Sequence, residues 1–145
     1  MNWFNYYGLI AVVILLIPNI IAAICDKSAF SNKYNNKAML MIEQIGRYGC
    51  MAFMVFNIPY TYFNFWFNHA LTVYLIINGL LLILYVFGWI VFRKKKNTIK
   101  ALWLSIIPTT LFVFSGIMLL SVPLMSFAVI FGIGHITISY RNVML

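Results

Sequence analysis

Glu43 and Arg47 stand four residues apart in an apolar stretch, and they are the first side chains in this sequence placed to do chemistry together. On a helix that spacing sets a carboxylate and a guanidinium on one face, where they pair. The same face continues through Cys50, Met54 and Asn57, a stripe suited to the inside of a bundle. Far along the chain, His135 offers an imidazole, a group that titrates near neutral pH and can relay a proton or act as a general base. Asn19 follows Pro18. The proline removes one helical donor and frees the carbonyl of Ile14, and the Asn19 amide supplies both a donor and an acceptor beside it. Ionisable residues inside a membrane are usually paired and often mark function. Glu43, Arg47, His135, Asn19 and Asn57 are therefore the candidate residues for binding a ligand or ion. The plainer reading makes Glu43–Arg47 an interfacial ion pair that sets helix depth, and His135 a hydrogen-bonded packing residue.

Other chemistries lack their residues. The two histidines, His69 and His135, and the two cysteines, Cys25 and Cys50, are scattered without metal-ligand spacing. No phosphate-binding glycine loop, nucleophile elbow or redox cysteine pair is present. No catalytic residue, metal, cofactor or disulfide is expected. Asn78-Gly79 and Pro108-Thr109-Thr110 interrupt apolar runs much as Pro18-Asn19 does, and membrane helices tolerate such breaks. Ala128 and Gly132 form a small-residue pair that suits close helix packing.

The elements that position these residues follow from composition. The chain has 145 residues, 64% of them hydrophobic and only 8% charged. Soluble domains carry about 25% charged residues, so the reading is one all-α integral membrane domain over 1–145. A membrane helix needs roughly 20 apolar residues. Five spans result, near 4–24, 39–58, 70–92, 101–120 and 124–140, with the last two folded back at Ser121-Val122-Pro123. The second span has an alternative frame, 48–66, which would leave 30–47 as a helix along the interface. Asn57-Ile58-Pro59 favours the first frame, because proline disfavours helix in the residue before it. The aromatic run 60–67 then forms an interfacial belt. The N-terminal stretch has no basic lead-in, so the first span is expected to stay in the mature protein.

All twelve charged residues fall in 26–47, in 93–100 or at Arg141. With five crossings these segments share one side, and the positive-inside rule makes the bundle N-out, C-in. The net charge of +8 is then topogenic, facing anionic lipid at the cytoplasmic face, and calls for no nucleic acid. The expected location is the bacterial cytoplasmic (inner) membrane, as a multi-pass protein.

Two family resemblances bear on function. Five helices and many aromatics are superficially similar to the tryptophan-rich sensory/translocator family, but the loop 26–37, DKSAFSNKYNNK, lacks that family's tryptophan-proline motifs. The order Glu43…Arg47 then Phe131…His135 resembles parts of the EExxxR and FxxxH motifs of the CAAX-protease-like intramembrane metalloproteases. Ile42 stands where that family's first glutamate belongs, and no second histidine follows His135. Three functions remain, in this order. The first is binding or transport of a small solute, ion or lipid by the polar cluster, with a homo-oligomer or partner membrane subunit completing any path. Next comes an accessory or immunity-type role without catalysis. The third is an intramembrane enzyme acting on a lipid or lipidated substrate.

Overall fold

A computed structural model describes residues 4–25, 36–56, 68–92, 98–119 and 121–144. Among these residues the fold is all-α, with five helices: α1 (Tyr6–Cys25), α2 (Lys37–Val55), α3 (Ala70–Val91), α4 (Thr98–Leu119) and α5 (Val122–Met144). Helices α3, α4 and α5 are long and apolar enough to cross a membrane, which marks the chain as a candidate multi-pass membrane protein. The apolar part of α1, Tyr6–Ala22, is shorter. Lys37, Glu43 and Arg47 set α2 apart from the other four. Asn57, the whole aromatic run 60–67 and the loops 26–35 and 93–97 lie outside the described residues.

Local signals place the helix ends. The Asn36 side chain caps α2 by accepting from the amides of Ala38 (3.1 Å) and Met39 (3.2 Å). Asn36→Ala is expected to cost about 1 kcal/mol, read as an earlier loss of helicity in a denaturant titration. Helix α2 runs unbroken through Arg47 and stops at Val55, a little before the expected 58, and Phe56 is extended. The 48–66 frame is therefore not one helix. Phe56 instead pairs with Phe4, and the Asn5 amide donates to the Val55 carbonyl at 2.7 Å. Ser121 makes the α4–α5 turn, since its amide donates to the Gly116 carbonyl (2.9 Å) and its own carbonyl accepts from the Met125 amide (3.0 Å). Pro123 sits in the first turn of α5, where its missing donor matters least. Beside Pro108 in α4, Ser105 and Thr109 bond back to the carbonyls of Ala101 (2.6 Å) and Ser105 (2.8 Å).

The helices close a ring in the order α1–α2–α5–α4–α3, with α2 also touching α4. Neighbours around it are antiparallel, as residue pairs such as Gly8–Met54, Gly49–Phe127, Gly116–Met125 and Gly88–Trp103 show. A ring with an odd number of alternating helices must contain one parallel pair. That pair is α1 and α3, joined near opposite ends by Asn5–Tyr74 and Asn19–Tyr85.

The tightest seam is α2 against α5. A Cβ on Gly46 would run into the backbone of Phe131, one on Gly49 into the Phe127 ring, and one on Gly134 would lie 2.8 Å from the backbone of Glu43. Backbones approach this closely only where side chains are missing. Leu111, Leu124, Cys50, Met54 and Ala128 fill the core behind this seam with no exposure at all. The outside is apolar: Ile17, Ile20, Ile83, Ile90, Val129 and Ile133 all lie open. A soluble fold would hide such residues, whereas a bilayer solvates them.

Candidate functional site

The buried face of α2 comprises Glu43, Gly46, Cys50, Met54 and Val55. Gly134 lets α5 lie directly on the Glu43 backbone, and the next residue, His135, thereby carries its ring to the Glu43 carboxylate. His135 Nδ1 lies 3.3 Å from Glu43 Oε1, within hydrogen-bonding reach. The Arg47 guanidinium pairs with the same oxygen from one turn along α2. The His135 ring stacks on Phe131 at 4.7 Å between centroids, which fixes its plane. The side chain of Glu43 is 5% exposed and that of Arg47 is 35% exposed. A carboxylate so buried is costly alone, and the Arg47 guanidinium and the His135 imidazole at one oxygen offset that cost.

Polar residues extend past this triad. Tyr85 of α3 and Asn19 of α1 form a further polar pair. The Tyr85 hydroxyl donates to Asn19 Oδ1 of α1 at 3.0 Å. Asn19 uses its Nδ2 to reach the carbonyl of Leu15 at 3.1 Å, so its amide serves that group and not the Ile14 carbonyl freed by Pro18. Contacts thus join His135, Glu43 and Arg47 across α5 and α2, and Tyr85 and Asn19 across α3 and α1. Of the predicted residues, Glu43, Arg47 and His135 come into direct contact. Asn19 is held by Tyr85 instead, and Asn57 lies outside the described residues.

Tyr85 was not among the expected residues, nor was a second polar network nearer the other end. There Asn5 Nδ2 donates to the Tyr74 hydroxyl (3.3 Å), which is also bonded to Ser115 of α4. Asn78 Nδ2 donates to Ser115 Oγ at 3.0 Å. Ala70, Tyr74, Asn78, Leu82 and Tyr85 form the buried face of α3. Their helical spacing is legible in the sequence. Polar side chains recurring on one face of an otherwise apolar run were the available signal.

Chemically, the triad can hold or exchange an anionic group, or share a proton between Glu43 and His135. The resemblance to intramembrane metalloproteases implies a metal, and the donor set does not fit one. Glu43 is committed to Arg47 and His135 is the sole imidazole beside it, whereas a catalytic zinc takes three protein ligands. Among the described residues no group of three His, Cys, Asp or Glu stands close enough to hold a metal ion.

Fold and site together define an all-helical bundle with three candidate membrane-crossing helices and a buried Glu–Arg–His triad. No family model, curated protein or solved structure matches the chain.

Proposed function

We propose that this is a small multi-pass protein of the bacterial inner membrane that binds or transports a small solute, ion or lipid through the polar chain centred on Glu43 and Arg47. In this reading all five helices span, N-out and C-in, and the polar chain lies in the cytoplasmic half. Lysines and arginines in 26–37 and 93–100 meet anionic lipid there, at about 1 kcal/mol each. One observation carries the proposal. A buried carboxylate is shared, through a single oxygen, by a half-exposed guanidinium and an imidazole on another helix.

That arrangement is an exchangeable ion pair. An incoming carboxylate or phosphate competes with Glu43 for the planar donor fork of Arg47. As the pair opens, His135 stays within hydrogen-bonding reach of the displaced Glu43 carboxylate. Five helices enclose no wide path, so movement of a solute across the membrane would use a homo-oligomer or a partner subunit.

The test uses the protein in lipid nanodiscs, titrated separately with inorganic phosphate, acetate and phosphatidylglycerol while its thermal midpoint is followed. At least one anion is expected to raise the midpoint, Arg47→Lys to weaken the effect and Arg47→Gln to remove it. A midpoint indifferent to all three probes, or a shift that survives in Arg47→Gln, overturns the proposal.

The close backbone contact of Gly134 with Glu43 favours a second reading, in which the triad only locks the register of α2 on α5. An accessory protein of that kind would lose stability on substitution of Glu43, Arg47 or His135 and respond to none of the anions.

A further inference from the structure

The parallel pair α1–α3 leaves a gap that the antiparallel seams do not. Between Asn5–Tyr74 and Asn19–Tyr85 lies a cavity of about 280 Å³, walled by Ile10 and Ile14 of α1 and by Leu75, Asn78, Gly79 and Leu82 of α3. Its volume is near the lower end for ligand clefts, about 300 Å³. Ile10 and Leu75 at its edge are themselves exposed on the apolar exterior, so the cavity is reached from the hydrocarbon side.

One polar group in this wall is unsatisfied. Asn78 is 4% exposed, and among the described residues its Oδ1 has no hydrogen-bond partner. The neighbouring network does not correct this. Asn5 donates to Tyr74, and Asn78 Nδ2 donates to Ser115, which leaves the Asn78 oxygen as an acceptor in want of a donor. A buried acceptor left open is costly. Tyr7 and Tyr74 also line the cavity, and the Tyr74 hydroxyl is already taken up by Asn5 and Ser115. Asn78 lines the cavity, and the broad terminal torsion of asparagine allows its carboxamide to turn toward an occupant.

We propose that the α1–α3 cavity binds a membrane-soluble molecule with a hydrocarbon body and a single hydroxyl, an alcohol or phenol, which donates to Asn78 Oδ1. The body replaces lipid contacts against Ile10, Ile14 and Leu82, and the hydroxyl supplies the missing donor. The occupant enters sideways from the bilayer, independently of the Glu43–Arg47 pair.

Gly79 makes the test clean, since a Cβ there meets nothing within 4 Å while the residue lines the cavity. Gly79→Leu should fill the space without disturbing the fold. The full chain in nanodiscs would be titrated with 4-butylphenol and with butylbenzene, which differ only in the hydroxyl, and affinities read by ligand-observed NMR. Saturable binding of the phenol is expected, about tenfold tighter than butylbenzene, which is the scale of one hydrogen bond to an otherwise unmet buried acceptor. Gly79→Leu should abolish it, and Asn78→Leu should bring the phenol down to the affinity of butylbenzene. Equal affinity of the two probes for the wild type, no saturable binding of the phenol, or unchanged phenol binding in a folded Gly79→Leu protein each overturns the proposal. If Asn78→Leu fails to fold, the comparison of the two probes on wild type and Gly79→Leu decides alone.

Discussion

Arg47→Gln is expected to lower the free energy of unfolding by about 3 kcal/mol, the low end of the range for breaking a buried ion pair. The low end applies because Arg47 is 35% exposed and part of its interaction is already screened. The loss does not measure the worth of the pair. It reflects Glu43, whose side chain is 5% exposed, left with His135 as its one remaining partner in the triad. Glu43→Gln/Arg47→Gln removes both charges and should recover most of the loss, since paired neutral groups avoid the desolvation of the stranded carboxylate. A double-mutant cycle followed by denaturant unfolding in detergent micelles measures the coupling. Additive single losses would show that the two side chains do not interact in the folded protein.

The second large effect concerns backbone spacing. Gly46→Leu places a side chain where the backbone of Phe131 now lies, and no rotamer avoids a collision that begins at Cβ. The helices must separate, which pulls His135 from Glu43 and opens the core around Cys50 and Met54. Overpacking of this kind costs about 1–3 kcal/mol where neighbours can adjust. Here the obstacle is main chain, so a loss of about 3 kcal/mol or more is expected, seen as little folded protein in gel filtration and a lower thermal midpoint. Gly79→Leu is the matched control: the same change in an open position should leave both readouts near wild type. Similar behaviour of the two variants would mean that glycine serves only helix flexibility in α2 and does not set the α2–α5 distance.

The helical elements were legible because apolar run length and the placement of charge determine them. Ser121 and Pro123 marked a turn that the structure keeps, whereas the Asn36 cap of α2 emerged only from the structure. The Glu43–Arg47 pair was legible from four-residue spacing alone. Its partner was not fully so, because His135 reaches Glu43 only through the register of α2 on α5. Three glycines set that register, and glycine in an apolar run looks the same whether it faces lipid or a neighbouring helix. Asn19 was singled out for its neighbour Pro18, yet what holds it is a tyrosine on α3, a contact that ring closure creates. Asn78 stood out only as a break in an apolar run, and Tyr74 and Ser115 not at all, since a polar side chain declares its partner only once two helices are aligned.

The seating of α2 on α5 has a consequence for how the chain is made. The helix that carries the ion pair takes its closest partner from α5, whose His135 lies about ninety residues downstream of Arg47. At roughly 5–20 residues per second, on the order of ten seconds pass between the addition of Glu43 to the chain and that of His135. During that interval Arg47, its neighbour on the same helix, is the partner at hand. The i, i+4 spacing therefore serves biogenesis as well as the finished bundle: it lets a charged helix travel with its own counter-ion until the ring can close.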